Sequence, residues 1–469
     1  MTRPVRIVAS FAAALAAAGC ASLAPPVPTP APDVPAAWTA PAVAPAPGTR
    51  TATPAEQGWR DFFADPKLNA LIARALQGNR DLRTTILDVE RARAAYRVQR
   101  ADQFPSVGAT ATRLRSGGAT VAAARDEYSV GIGVTEFELD LFGRVRDLSR
   151  AALERYLAQG EAARAAQLSL VAEVANAYFT LAADRALEEV ARATLDTQEA
   201  SFRLTGQRHE RGAVSALDVA QARTTVETAR SDVARYAGLV ARDRNALDVL
   251  VGGGIEADAL PADLDATTVP PTVLPPGLRS EVLLQRPDVL AAERRLIAAN
   301  ANIGAARAAF FPSIRLTGTL GTSSDALSAL FSGGTRFWSF VPQISMPIFE
   351  AGRLQANLDA AQAEQDMALA QYERAVQAGF REVADALALS GTLAAQLAAQ
   401  QALVDAAGRA NALSQARYTT GRDSFLVALD AQRTFYAAQQ SLLVTRLAER
   451  TNRVTLYKVL GGGVREVTE

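Results

Sequence analysis

Tyr128-Ser129-Val130-Gly131-Ile132-Gly133-Val134-Thr135 places a large apolar or aromatic residue at every even position and a small or polar one at every odd position. Trp338, Phe340, Pro342, Ile344, Met346 and Ile348 keep the same period of two, as do Ile314, Leu316 and Leu320. That period belongs to a β-strand, whose side chains alternate between two faces. Runs of about ten residues with one apolar face match strands that cross a membrane. Near Glu136 the phase flips, and Phe137, Leu139 and Leu141 carry the apolar face onward, so a β-bulge is expected there. Two hairpins, four strands in all, are too few to bury the core of a soluble sandwich. They also cannot close a barrel, which needs roughly eight strands or more. Open edges are excluded in lipid because each unpaired backbone group costs several kcal/mol. The chain must therefore associate with copies of itself, at least as a dimer; the strand count does not choose the number.

Both hairpins belong to an internal duplication. Arg100-Ala101-Asp102-Gln103-Phe104-Pro105-Ser106-Val107 returns as Arg307-Ala308-Ala309-Phe310-Phe311-Pro312-Ser313-Ile314. The Gly143-Arg144 pair returns as Gly352-Arg353, Gly212 as Gly421, and Gly252-Gly253-Gly254 as Gly461-Gly462-Gly463, all shifted by 207 to 209 positions. Each half carries a helical stretch, two strands, a very long helix opening at Gly-Arg, a glycine turn and a return helix ending at the triple glycine. Leu354, Leu358, Ala361, Tyr372, Val376, Phe380, Val383 and Leu387 recur at helical spacing with few breakers, which reads as ordinary helix packing. At 1.5 Å per residue, the helix from about 353 to 416 is roughly 95 Å long. The return helix of about 425–459 is roughly half that, as is the rising stretch of about 66–103. One long helix is matched by two short ones, a plan suited to a hollow cylinder. The divisions expected are a signal peptide at 1–19, a tether at 20–58, a first repeat at 59–260 (strands about 105–142, tip about 207–217), an equatorial linker at 261–280 and a second repeat at 281–469 (strands about 313–349, tip about 416–426).

Arg3 and Arg6 precede a short apolar stretch, Ile7 to Ala18, too short to span a bilayer and typical of a signal peptide. It ends Ala17-Ala18-Gly19-Cys20. Small residues before a cysteine resemble the bacterial lipobox, although the preferred leucine stands two positions early, at Leu15. Cys20 is the one cysteine in 469 residues, so neither an internal disulfide nor a cysteine zinc site is open to it, and lipidation is the chemistry that uses it. Ala21 in the next position favours, by resemblance to lipoprotein sorting, delivery to the outer membrane. Residues 25 to 47 hold nine prolines, a composition that favours extended polyproline II and suits a tether.

Several function classes are disfavoured. Net charge is zero and the charges are interspersed, so no basic patch for nucleic acid is evident. Aromatic residues are only 6%, and much of the apolar content is alanine, as in close-packed helices. After the signal, no run of roughly 20 apolar residues suggests a membrane helix. There is no His pair for a metal, no phosphate loop and no nucleophile elbow, hence no enzyme, no metal and no cofactor is expected. A soluble coiled-coil envelope lipoprotein would need the helices but not the paired alternating strands.

Trp59-Arg60-Asp61-Phe62-Phe63-Ala64-Asp65-Pro66-Lys67-Leu68, Phe137-Glu138-Leu139-Asp140-Leu141-Phe142-Gly143-Arg144, Arg286-Pro287-Asp288-Val289, Pro347-Ile348-Phe349 with Gly352-Arg353, and Arg417-Tyr418-Thr419-Thr420-Gly421 form an ordered set. It resembles the TolC-like outer-membrane factors, in the lipoprotein (NodT-type) branch serving resistance-nodulation-division efflux pumps, over residues 59 to 463. The resemblance implies a mixed fold: a homotrimer with one transmembrane β-barrel of twelve strands, four per chain, above a periplasmic α-helical barrel of twelve helices. It implies docking to a periplasmic adaptor and an inner-membrane pump, without a cofactor, and export of drugs or other small molecules. A type I secretion duct for a protein is the alternative within that architecture.

The tips follow from the turns. Gly212 and Gly421 suit the left-handed end of a helix, and Ser215 with Asp218 suits a capping box. By the resemblance, Arg211, Gly212, Ser215, Gly421 and Ser424 touch the adaptor. Leu426, Asp430 and Arg433 fall on one face of the last return helix, whereas the equivalent first-half face carries Leu217, Gln221 and Thr224. The resemblance makes Leu426 and Asp430 constricting rings, with Tyr418 and Arg433 holding the closed tip. His209, the single histidine, is read as a solvated tip residue. The lipobox reading predicts that Cys20→Ser abolishes incorporation of labelled palmitate; a mutant that still carries the label would overturn it.

Overall fold

The computed structural model describes residues 22–28, 34–38, 57–117, 125–264 and 278–462. The signal segment, Cys20, residues 265–277 of the expected linker and Gly463 lie outside them. The elements run α1 (Trp59–Phe62), α2 (Pro66–Gly78), α3 (Arg80–Ala101), β1 (Val107–Ser116), β2 (Arg125–Leu139), α4 (Arg144–Glu210), α5 (Ala216–Val251), α6 (Pro287–Ala308), β3 (Ser313–Ser324), β4 (Arg336–Ser345), α7 (Arg353–Thr419) and α8 (Phe425–Val459). They gather into two compact units.

The first unit takes Leu87–Glu161 and Leu290–Ala375, with the chain before Ala31. Its strands form one antiparallel sheet in the order β1-β2-β3-β4. The register aligns apolar residues in rows: Ile132 with Leu320 and Trp338, Val134 with Gly318 and Phe340, Phe137 with Leu316 and Pro342, Leu139 with Ile314 and Ile344. Ile132, Leu320, Trp338, Phe340 and Ile344 on that face are all exposed. Rows on the other face are polar or small: Gly133 with Thr319 and Ser339, Glu138 with Arg315 and Gln343. A sheet with one exposed apolar face and one polar face matches the pattern of strands that line a membrane pore. Among the described residues β1 and β4 each pair along one edge only.

The predicted bulge is present. Between Val134 and Phe137 the β2–β3 register shifts, and Glu136 takes a left-handed φ of 53°, with its N–H directed to Thr317 Oγ1 at 3.3 Å. Three steps along β2 match two along β3, which returns Phe137 and Leu139 to the lipid face after the change of phase. The strands then turn sharply into helices. Gly143 and Gly352 adopt φ of 80° and 86°. Arg144 grips Glu138 through two hydrogen bonds, 2.8 and 2.6 Å, and Arg353 pairs with Glu350.

The second unit takes Pro32–Ile86, Ala162–Val289 and Val376–Glu469. Its core joins Trp59, Phe62, Phe63, Leu68 and Ile72 to Tyr178, Phe179, Leu247, Val454 and Tyr457. Phe62 stacks on Tyr457 at 4.2 Å. Asp65 caps α2 through Lys67 N–H and accepts a 2.8 Å hydrogen bond from Tyr178 Oη. Gly252 ends α5 with φ 91°, pressed so closely on Gly78 that a Cβ there would stand 2.7 Å from the Gly78 oxygen; only glycine meets both demands. Arg286 is buried and bonds Asp288, Glu382 and the Val459 carbonyl.

The long helices fall close to expectation, at 67 residues each. The rising helices are shorter than expected. The stretch 66–103 breaks at Asn79, which is extended; its side chain bonds the Leu250 carbonyl and caps α3 through Leu82 N–H. The rising stretch of the second half, placed at about 281–310 by the duplication, starts as a 3₁₀ turn at Ser280–Gln285, and Pro287 forces Arg286 out of helix. The proline-rich segment is not free along its length: Trp38 is 6% exposed, stacks on Phe380 at 5.1 Å and donates to the Phe380 carbonyl. Apolar content also needs correction, because α7 holds an 18-residue window of mean hydropathy 1.2 that is only 6% buried. At roughly 100 Å, α7 far exceeds a bilayer core of about 30 Å, and its alanine-rich surface suits helix packing.

The bulge predicts an asymmetry between deletions. Removing Glu136 restores an even ladder with every side chain on its proper face, so heat-modifiable oligomers should still form. Removing Thr319 from β3 turns Ile314 and Leu316 away from lipid, and assembly should fail. A second prediction concerns Asp184 and Asp243, both buried. Burial, and then sharing a hydrogen bond with Asp243, pushes the Asp184 carboxyl up to about 7. The folded chain then holds a proton that the unfolded chain releases. This stability is present below the ordinary carboxylate range and drains as pH rises toward 7. Asp184→Asn should raise the melting temperature at about pH 8 and leave it unchanged at about pH 4. Equal gains at both would refute the shared proton.

Candidate functional site: the helical tips

The first tip joins α4 to α5. Gly212 has φ 73°, and its N–H donates to His209 O at 2.8 Å. Ser215 and Asp218 form the expected capping box, with Ser215 Oγ accepting from Asp218 N–H at 3.2 Å and Asp218 Oδ2 accepting from Ser215 N–H at 2.9 Å. His209 is exposed, and its Nδ1 donates to the Val214 carbonyl at 2.9 Å, which braces the turn. Arg211, Gly212 and Ser215 are all exposed.

The second tip joins α7 to α8. Gly421 has φ 74° and donates to Tyr418 O at 3.0 Å. Ser424 occupies the cap position without a side-chain cap bond. Here an ion pair braces the turn, with Arg417 reaching both oxygens of Asp423 at 2.7 and 2.9 Å. Those hydrogen bonds hold the Asp423 carboxyl below its ordinary range. Gly421 and Ser424 are exposed.

The four residues expected at the gate divide. Leu426, Asp430 and Arg433 lie together on the exposed face of α8, while Phe425, Ala428, Leu429 and Gln432 are turned inward. Asp430 and Arg433 make no ion pair with each other or elsewhere among the described residues, so the pairing on one helix is not formed. Tyr418 is instead buried, packed with Phe425, Ala428, Leu429, Ala222 and Phe202. Among the described residues its hydroxyl finds no partner, nor do the buried side-chain oxygens of Gln415 and Gln432. The first-half face is inert by comparison: Leu217 is 66% exposed, and Thr224 bonds the Gln221 carbonyl.

One tip residue escaped the sequence reading. The Arg208 guanidinium lies 4.7 Å from the Tyr418 ring centre, a cation–π distance, and donates to the Thr419 carbonyl at 3.2 Å. It ties the end of α4 to the end of α7. Its only sequence signal was a basic residue in the last helical turn. Among the described residues no His, Cys, Asp or Glu cluster fits a metal. The site offers packing, ion pairs and buried polar atoms without partners among the described residues.

The chain matches the family described as "Outer membrane efflux protein" over residues 71–253 and 278–462. It is 49% identical to the "Probable efflux pump outer membrane protein TtgC" of Pseudomonas putida, covering 96% of this chain and 94% of that one. It is 44% identical to "Outer membrane protein OprJ" of Pseudomonas aeruginosa, covering 99% and 97%. Among solved structures, the open state of the Neisseria gonorrhoeae MtrE outer membrane channel superposes with a TM-score of 0.87 at 39% identity, covering 96% of this chain and all of that one. CusC superposes at 0.83 and 40% identity, covering 94% and 100%.

Proposed function

The chain belongs to the outer membrane efflux protein family, and from that membership we propose that it works as a homotrimeric exit duct docked on a periplasmic adaptor and an inner-membrane pump. The family is one of outer-membrane efflux channels, not enzymes. The observation that carries the oligomeric reading is the four-stranded sheet, apolar on one face and, among the described residues, unpaired at both edges. Copies that pair β4 of one chain with β1 of the next satisfy the edges and close the wall. Three copies give twelve strands, the number the resemblance implies. Lipidated Cys20 adds an anchor in the inner leaflet.

Relatives named for toluene and antibiotic efflux support small apolar and amphiphilic compounds as cargo. The exposed tip residues Arg211, Gly212, Ser215, Gly421 and Ser424 form the adaptor contact. At the threefold axis Leu426 and Asp430 narrow the mouth. Arg433 of one chain meets Asp430 of a neighbour, which answers the charges left unpaired in the single chain, and the Tyr418 hydroxyl finds its partner across the same boundary. Arg208 holds Tyr418 in place from α4. That a relative has been solved in an open state supports a mouth that closes and opens.

Each wet Asp430–Arg433 pair is worth about 1 kcal/mol. Three acting together bias a two-state mouth by about 3 kcal/mol, more than a hundredfold in population. Arg433→Ala should raise single-channel conductance in planar bilayers and sensitise cells to large antibiotics, whereas Thr224→Ala should do neither. Equal conductance for Arg433→Ala and the parent, in the same bilayer and salt, would count against the gate.

A further inference from the structure

Asp147, in the first turn of α4, is 2% exposed, and burial pushes its carboxyl above the ordinary range. Its partner comes from the far N-terminus: Ser22 Oγ donates to Oδ1 at 2.7 Å and to Oδ2 at 2.9 Å. Two further donors hold the backbone of the same segment. Arg307 Nη1 reaches the Leu23 carbonyl at 3.1 Å, and Asn300 Nδ2 reaches the Pro25 carbonyl at 2.8 Å. Asn300 is itself oriented by Gln365 Nε2 at 2.7 Å. Gly304 completes the seat, since a Cβ there would overlap Asp147 Oδ2 and stand 2.8 Å from Ala24 N. Glycine weakens the middle of a helix, and here close approach of the strap explains it.

Two donors, Arg307 and Asn300, address backbone carbonyl oxygens, and the Asp147 carboxyl accepts from one hydroxyl, so an extended chain is what the seat accepts. Pro25 and Pro26 keep it extended and remove N–H groups that would otherwise need partners. The seat is built from residues near 147, 300–307 and 365, so it exists only once these helices have packed. The lipobox, by contrast, is a linear signal. Asp147 follows closely on the turn from β2 into α4, where Phe142 stacks on Phe311 at 4.6 Å. On the proposed function that turn lies where the membrane wall passes into the periplasmic helices.

We propose that Asp147, Asn300, Gly304 and Arg307 form a seat for the chain's own segment Ser22–Pro25, and that this seat fixes where the acylated Cys20 enters the membrane. The anchor then belongs to the pore wall, and its acyl chains insert beside the strands at one height. This rests on the lipidation reading, because without acyl chains on Cys20 the seat holds only a strap.

The test uses the full chain in liposomes with a nitroxide on Val27→Cys, acylated Cys20 being closed to the label. The parent should show one immobile population at one membrane depth, read by oxygen and nickel-chelate collisions. Gly304→Ala, which favours the helix itself, and Asp147→Leu should release the strap and give a mobile label spread in depth. Asp147→Asn retains an oxygen that accepts from Ser22 and should keep the label immobile. Oligomer migration in each variant confirms that the channel has folded. An immobile label in both Gly304→Ala and Asp147→Leu, or a mobile one in the parent, overturns the seat. A parent without palmitate, carrying a second nitroxide on Cys20, overturns the lipid reading while leaving the seat to be judged by the Val27 signal.

Discussion

Hydrocarbon offers no partner to a peptide group, and the architecture follows from that. β1 and β4 are ten residues long and each pairs along one edge within the chain. Unpaired groups cost several kcal/mol apiece in lipid, so two bare edges exceed the 5–15 kcal/mol or so by which a folded domain is stable. Association is thus a condition of the membrane state. A wall closed by copies has a polar bore, which is why Glu138, Arg315 and Gln343 can line one face while Leu139, Ile314 and Ile344 line the other. The bulge at Glu136 is a local consequence, since one left-handed residue keeps the lipid face continuous through a change of sequence phase.

What the sequence disclosed was whatever local periodicity encodes. Alternation gave the strands, the flip of phase gave the bulge, and glycine turns gave the helix ends nearly to the residue. The face shared by Leu426, Asp430 and Arg433 also follows from helical spacing alone. Contacts between distant residues were not legible. Asn79 breaks a helix because its side chain reaches Leu250, and nothing in its immediate neighbours announces that. Trp38 sits in a proline-rich run whose composition suggests no packing, yet Phe380 covers it. Arg208 and Tyr418 meet from opposite repeats. Tyr418 itself was expected to help Arg433 hold the closed tip, and its burial depends on Ala222 and Phe202, residues with no local link to it.

The duplication kept the turns and changed their chemistry. Gly212 and Gly421 share a left-handed φ within a degree. The first turn closes on itself through the Ser215–Asp218 box and the His209–Val214 bond, satisfying its own polar groups. The second turn is braced by Arg417 and Asp423 but leaves polar atoms of Gln415, Tyr418 and Gln432 unanswered. A buried group without a partner costs about 1–3 kcal/mol, so among the described residues the second tip holds its polar groups less fully satisfied than the first. Two copies of one plan thereby differ in how firmly each holds its shape.

That difference decides where such a duct can change its width. Moving strands apart in the wall breaks ladder hydrogen bonds in a medium that cannot replace them, and the ladder is continuous from β1 to β4. The helix ends stand in water, where lost hydrogen bonds are exchanged for bonds to solvent at a net cost of about 1 kcal/mol each. At the second tip the apolar cluster is small, five buried residues with Phe202 against them, and the ion pair beside it is exposed. Free energies of that size are within reach of a docking partner, whereas those of the wall are not. On the proposed function, the least costly place for a closure is therefore the α7–α8 turn, where the chain is least committed.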